Sequence, residues 1–333
     1  MIHVIRENEG IMDIATHYGV DASVILEANR ATQFVHNRAI WIPSDASTSI
    51  PKGKNRGAWD PLAPALELFA INATDEAAIE YLDTPPLPLR GVFVEAYRPR
   101  GASLGAKDDA FPIAASLFHG AEPAVALANL QWYTDPRNLE KFFSSLRYKD
   151  YQGALLCVET EDDENAYKKM RDCLYGFGFN VSVRAGERAL ERMGDSPRVE
   201  RYFLKADKSL IGVAPFEIAM ERLAACFPKE KLGASAALLA ADVNKATQKA
   251  TYPDISHVDE IIARTGIRSL YYDESSQLCF LQYRERGELH NVVFEDLRAL
   301  EAKTAILKRV GAKSMLVENP ARILGIITGI AFI

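Results

Sequence analysis

From about Leu62 onward, compact apolar runs alternate with stretches whose apolar residues recur every three to four positions. The runs Leu66–Asn72, Gly91–Tyr97, Pro112–Phe118, Gly153–Glu159, Asn180–Arg184, Arg201–Lys205, Leu232–Leu239 and Ser314–Val317 predict strands. Several are apolar at nearly every position, as strands buried on both faces are. Residues 138–146, 164–175, 216–227 and 294–310 carry the helical period. This alternation predicts an α/β chain folded as a closed (β/α)8 TIM barrel over residues 62–333, with a doubly wound open sheet as the structural alternative. It breaks between about 268 and 294, which predicts a small antiparallel α+β insertion with Arg286 and Gly287 at a turn.

Residues 1–43 follow another pattern. Ile2-His-Val-Ile-Arg6 alternates and predicts a short strand. Ile11, Ile14, Ala15 and Tyr18 fall on one helical face closed by Gly19; Val24, Ile25 and Ala28 fall on a second helix, which Asp21 can cap. Ala39-Ile-Trp-Ile-Pro43 predicts a closing strand, giving a small β-α-α-β domain. Residues 44–61 have the composition of a linker, and the barrel domain begins at 62.

The length of 333 residues accommodates about two domains. With 48% hydrophobic and 25% charged residues the chain is neither disordered nor collagen-like. A formal net charge of −6 leaves no general basic footprint for nucleic acid, while a neutral polymer such as a glycan stays open as a partner. Cys157, Cys173, Cys226 and Cys279 form no CxxC pair and no zinc-spaced cluster, so free thiols, no metal and no cofactor are expected. No secretory h-region is seen near Met1, so synthesis as a soluble cytoplasmic protein is expected. The apolar tract Ile323–Ile333 is shorter than the ~20 residues of a membrane span. It reads as a closing core segment, with a membrane-surface tail as the alternative.

The first unit resembles a LysM domain through Ile2-His-Val-Ile-Arg6, Ile14-Ala-Thr-His-Tyr-Gly-Val20, Val24-Ile-Leu-Glu-Ala-Asn-Arg30 and Ile40-Trp-Ile-Pro43. The resemblance implies binding of N-acetylglucosamine polymers, with Asn8, Glu9, Gly10, Ile11, Asn29 and Arg30 as candidate glycan-binding residues. Asn8-Glu9-Gly10 stands where the family usually has Gly-Asp-Thr, so a LysM fold kept as a spacer or docking module is the alternative.

The larger part resembles glycoside hydrolase family 18, in particular the LysM-bearing spore-cortex and cell-wall N-acetylglucosaminidases of spore-forming bacteria. Three stretches carry the resemblance: Gly91–Leu104 with Asp108 and Asp109; Tyr151–Glu159 with Ala166-Tyr167 and Phe179–Val183; and Tyr272–Tyr283 with His290–Lys303. It implies a (β/α)8 barrel in which a Glu at the end of the fourth strand protonates the leaving oxygen and the substrate's own acetamido group attacks the anomeric carbon. Against the family motif DGxDxDxE this chain reads Gln152-Gly-Ala-Leu155-Leu-Cys157-Val-Glu159. Glu159 is the candidate general acid. Gln152, Leu155 and Cys157 are substituted motif positions, Asp207 stands where the resemblance implies a Tyr on the sixth strand, and Glu318 stands where it implies a Trp on the eighth.

Glu159 is therefore retained without the Asp that orients and stabilises the acetamido group. A thiol at 157 carries no useful charge in an apolar strand. Losing one preorganised partner costs ~10²–10³ in rate. The expectation is a catalytically degenerate barrel bound to peptidoglycan, an N-acetylglucosamine polymer or a spore or envelope protein, with no nucleic acid and no membrane span. An N-acetylglucosaminidase with Asp207 or Glu318 in the lost carboxylate's role, and a protein scaffold without glycan contact, are the alternatives. Location at the spore or cell envelope follows from the resemblance. Three further features have two readings each. The acids of Glu159-Thr-Glu-Asp-Asp-Glu164 form a metal site or cap the following helix, His119 assists Glu159 or is structural, and Trp132 with Tyr133 stacks on a sugar or packs a helix.

Overall fold

The structure, a computed structural model, describes residues 2–4, 10–20, 22, 24–25, 39–41, 66–72, 89–95, 97–100, 103–106, 121–146, 151–265 and 270–318. Eight parallel strands close into a barrel in chain order: Glu67–Asn72, Gly91–Val94, Glu122–Leu127, Gly153–Val158, Asn180–Ala185, Arg201–Leu204, Leu232–Ala236 and Ser314–Glu318. The eighth pairs with the first, from Ser314 opposite Glu67 to Glu318 opposite Ile71, so the sheet has no edge. The chain is a (β/α)8 TIM barrel, and the open-sheet alternative is excluded. Helices Pro136–Leu146, Glu161–Gly176, Glu187–Met193 and Val213–Cys226 follow strands three to six, and Leu297–Val310 leads into the eighth.

The third strand corrects the sequence reading. It is Glu122–Leu127, not Pro112–Phe118, which lies outside the described residues. Pro123 cannot donate to a ladder, which confines it to the start of the strand. It sits at the second position, and its carbonyl accepts from the Gln152 amide at 2.9 Å. His119 therefore precedes the third strand rather than ending it.

Alternating side chains give the barrel two cores. Outward residues pack beneath the helices, while Phe69, Ile71, Phe93, Ala124, Ala126, Leu155, Cys157, Phe203 and Leu316 fill the interior. The rings of Phe69, Phe93 and Phe203 pack with centroids 5.7 to 6.1 Å apart, and alanines on the third strand leave them room. At the N-terminal end Arg201 lies 4.7 Å over the Phe69 ring and pairs with Glu67 at 2.7 Å, which closes the interior from below. The fourth and fifth strands approach closely at Gly153, where a Cβ would stand 2.7 Å from the Asn180 carbonyl oxygen.

The insertion is larger than the sequence suggested. Its five-stranded antiparallel sheet runs in the order Ala250–Thr251, Ala240–Asn244, Glu288–Phe294, Leu278–Glu285 and Leu270–Asp273, so it starts at Ala240 rather than near 268. Helix Ile255–Thr265 packs Ile255, Val258, Ile261 and Ile262 against that sheet. The apolar run after residue 232 hid the boundary, because the seventh barrel strand ends at Ala236 and the next begins at Ala240. Arg286 and Gly287 form the expected turn, with φ of 50° and 88°, closing Glu285 onto Glu288. Glu295 ties insertion to barrel: its carboxylate accepts from the amides of Gly212 (2.7 Å) and Leu239 (3.2 Å) and from Lys303 (2.6 Å).

In the first unit, Ile2–Val4 pairs antiparallel with Ala39–Trp41, and helix Ile11–Tyr18 starts where the Asp13 carboxylate accepts from the Gly10 amide at 2.7 Å. Ile14, Ala15, Val20 and Ile25 form a small core of their own. The strand Ala39–Trp41 lies against the insertion's edge strand Leu270–Asp273. The expected linker 44–61 and the tract Ile323–Ile333 lie outside the described residues. Among the described residues no helix is long and apolar enough to cross a membrane.

Candidate functional site

Side chains two apart on a strand point the same way, so the fourth strand aims Leu155, Cys157 and Glu159 along one line. Leu155 and Cys157 are buried in the barrel interior, and Glu159 follows the strand's last residue at the C-terminal rim, its side chain 32% exposed. Helix Glu161–Gly176 begins immediately behind it, capped by Thr160. The buried Asp163 carboxylate accepts from the amides of Leu130 (2.5 Å), Glu159 (3.1 Å) and Thr160 (3.2 Å). The acidic run thus supplies a capping box that fixes the backbone carrying Glu159. Among the described residues no cluster of three or more His, Cys, Asp and Glu is arranged to hold a metal ion.

Both oxygens of Glu159 are taken. Oε1 accepts from Arg184 Nη1 at 2.9 Å, and Oε2 accepts from Lys205 Nζ. The same guanidinium donates from Nε to Glu318 Oε1 at 2.8 Å. Arg184 comes from the fifth strand and Lys205 follows the sixth, while Glu318 ends the eighth. Burial opposes the Arg184 charge, and Glu318, then Cys157 and Glu159, outweigh it, so the guanidinium is held charged above its ordinary range. Burial likewise pushes the Cys157 thiol up to about 12; Arg184 partly offsets this, and Glu159 and Glu95 add to it. At neutral pH the centre of the mouth therefore holds a neutral thiol beneath a guanidinium bridging two carboxylates.

The remaining expected residues scatter. Gln152 is exposed at the N-terminal end of the fourth strand, on the opposite face from the mouth. Asp207 caps the turn Lys208–Leu210, accepting from the Ser209 amide at 2.7 Å, and is not joined to Glu159. Gly10 is exposed and Ile11 half-buried at the start of the first helix; Asn8, Glu9, Asn29, Arg30 and His119 lie outside the described residues. Trp132 and Tyr133 pack edge-on with centroids 5.0 Å apart, and Tyr133, fully buried, packs against Phe142, so the pair builds a core.

Sequence reasoning missed Arg184 and Lys205. The signal was available, since both share inward parity with buried neighbours, Ser182 for Arg184 and Phe203 for Lys205, at the ends of their strands. Beside this cluster an open groove of about 990 Å³ runs over the ends of strands four to six, between Glu159, Glu164, Arg192 and Lys208, with Tyr252 of the insertion at its rim.

A general acid must carry a proton on one carboxyl oxygen toward its substrate. Here both Glu159 oxygens accept from cations, and position 157 on the same line holds a thiol rather than a carboxylate. The arrangement is a charge-compensated cluster at the barrel mouth.

No family model matches the chain, and no curated protein matches it. Solved structures do share its fold. The Bacillus cereus spore cortex-lytic enzyme SleL is similar with a TM-score of 0.62 at 12% identity, over 99% of this chain and 86% of that one. The Bacillus megaterium QM B1551 spore cortex-lytic enzyme SleL is similar with a TM-score of 0.59 at 14% identity, over 99% and 84%. A chitinase from Chromobacterium violaceum ATCC 12472 is similar with a TM-score of 0.59 at 14% identity, over 80% of this chain and 98% of that one. At these identities the likeness is one of fold.

Proposed function

We propose that this chain is a cell-wall or spore-envelope protein that uses a hydrolase-like barrel and a LysM-like first domain to hold a glycan, and that it does not cleave it. The observation carrying the proposal is the Arg184 bridge between Glu159 and Glu318, with Lys205 on the remaining Glu159 oxygen. The fold shared with spore cortex-lytic enzymes and chitinases supports a glycan as the ligand class. The buried neutral thiol of Cys157 supports loss of substrate-assisted hydrolysis. Peptidoglycan and other N-acetylglucosamine polymers are the proposed ligands.

A second reading draws on Glu318. It shares Arg184 with Glu159, so withdrawal of the guanidinium would leave two carboxyl groups facing the mouth of one barrel, the arrangement a rebuilt glycosidase needs. The test is incubation of the purified chain with insoluble peptidoglycan, measuring both retained protein and released reducing ends. Retention without release supports the first reading. Release that vanishes in Glu159→Gln supports the second.

A further inference from the structure

We propose that Asp242, His290 and Asn244 form a pH-sensitive latch on the insertion hairpin that leads to Tyr252: protonation of His290 frees Asn244 from the hairpin's turn and loosens the rim of the groove. The latch lies within the insertion and holds whatever the groove takes.

Asp242 and Asn244 share the parity of Ala240, and His290 that of Val292 and Phe294, so all three stand on the sheet face that packs against helix Ile255–Thr265. Asp242 is buried with both oxygens taken: Oδ2 accepts from the Tyr283 hydroxyl at 2.7 Å, and Oδ1 accepts from His290 Nδ1 at 3.0 Å. Burial, then the bond to Asp242, hold the Tyr283 hydroxyl protonated above its ordinary range, so it stays a donor. A carboxylate only accepts, so Nδ1 carries the imidazole proton, and in the neutral ring Nε2 is the acceptor. Asn244 Nδ2 stands 3.4 Å from that Nε2 and also donates to Glu288. The amide is held this way round because its Oδ1 accepts from the backbone amides of Ala246 (2.9 Å) and Thr247 (3.1 Å). With His290 neutral, every donor from Tyr283 to the turn meets an acceptor.

A proton taken from solvent puts a second N–H on Nε2, facing the Asn244 amino group, so a donor meets a donor. The imidazolium can regain an acceptor in two ways. It takes Glu288 from Asn244, or Asn244 turns over and gives up Ala246 and Thr247. Either way the side chain that holds the turn loses partners. The other charged groups around the ring are Glu285, on the strand that carries Tyr283, and Arg264, from helix Ile255–Thr265; these two pair with each other at 3.4 Å. Glu260 of that helix is exposed and pairs with His257. The turn itself depends on Asn244, whose carbonyl accepts from the Gln248 amide at 2.8 Å while Gln248 sits at φ 57°, in the left-handed region.

The hairpin then runs to the groove. Ala250–Thr251 pairs back onto Val243 and Asp242, and Tyr252 follows on the groove wall. Lys208, after the sixth barrel strand, lies over the Tyr252 ring with Nζ 5.2 Å from its centroid, which clasps the hairpin to the barrel. Loosening the turn therefore loosens the wall that the insertion lends to the groove.

The experiment is amide hydrogen exchange of the full chain by NMR between pH 5 and 8, expressed as protection relative to the unstructured rate, with the His290 ring titrated in the same samples. Protection at Ala246 and Thr247 should fall about tenfold on acidification, the worth of one or two hydrogen bonds, with the midpoint of the His290 titration. The fall should extend to residues 250–252 and leave the barrel strands unchanged. His290→Gln keeps a neutral carboxamide at the site and should abolish the pH response. Asn244→Ala, a change at a half-buried turn position, should give low protection at every pH. Constant protection in the parent chain, or a midpoint apart from that of His290, overturns the latch. A pH response that survives in either variant, or loosening that stops short of residue 250, also overturns it.

Discussion

Glu159 follows the fourth strand and Glu318 ends the eighth, on opposite sides of an eight-stranded ring, and one side chain joins them: Arg184 donates to the first at 2.9 Å and to the second at 2.8 Å. Two acids facing one mouth repel across it unless a cation lies between them. The Arg184 side chain is only 11% exposed, so its charge is tolerated because both carboxylates meet it.

Arg184→Met removes that cation and leaves Glu159 and Glu318 facing each other. We expect a loss of about 2–3 kcal/mol in urea unfolding. In a Glu318→Gln background the same change should cost less by about 1 kcal/mol, because one of the stranded charges is gone. Additive costs in this double-mutant cycle would mean that the bridge is not formed in solution.

Alkaline pH should destabilise the fold through groups buried in their neutral forms. Burial pushes Cys157 up to about 12 and Tyr272 up to about 12, and it raises Tyr133 and Tyr202 as well. A raised folded pKa means that the folded state keeps its proton after the unfolded chain has lost it. This stabilisation is complete below the unfolded pKa and is lost as pH climbs through the folded one. Stability should therefore fall from about pH 9 upward, each such group adding up to about 1.4 kcal/mol per pH unit. Urea titrations between pH 8 and 11 read the slope, and Cys157→Ala should make it shallower by one proton's share. An unchanged slope in that variant would show that the thiol is not buried.

Gly153 belongs to the motif that suggested a catalytic strand, yet its requirement is packing. A methyl there meets the Asn180 carbonyl oxygen at 2.7 Å, a backbone atom that cannot swing away. Gly153→Ala should cost about 1–3 kcal/mol in thermal or urea unfolding. A neutral effect would mean that the fourth and fifth strands stand farther apart than described.

Glu295 holds the insertion through two amides and Lys303, with its side chain fully buried. Glu295→Ala leaves the Lys303 ammonium buried without its carboxylate and should cost about 3–5 kcal/mol. Hydrogen exchange should rise first at Gly212, Leu239 and the start of helix Leu297–Val310, before the barrel strands open. Protection unchanged at those amides would contradict the anchoring role.

Much of the fold was legible because barrel strands are nearly continuous apolar runs, and seven of the eight fell where the runs predicted. The third escaped because Pro112–Phe118 and Glu122–Leu127 are both short apolar runs with one proline, and composition does not separate them. The insertion's start escaped because strands ending at Ala236 and beginning at Ala240 read as one. At the site, strand parity put Leu155, Cys157 and Glu159 on one line, but the partners of Glu159 come from other strands. Nothing local marks Arg184 as bridging the fourth and eighth strands; only ring closure brings Glu318 within reach. Asp207 looked equivalent to Glu318 as a replacement carboxylate, and its turn with Ser209 diverts it.

We propose that the barrel holds glycan without cutting it. The most direct measurement is the sedimentation assay with insoluble peptidoglycan, run on the parent chain and on Glu159→Gln, with reducing ends assayed in the supernatant. Both proteins should pellet with the polymer, and neither should release reducing ends above the buffer control. Release by the parent chain that disappears in Glu159→Gln would contradict it and make Glu159 a working acid.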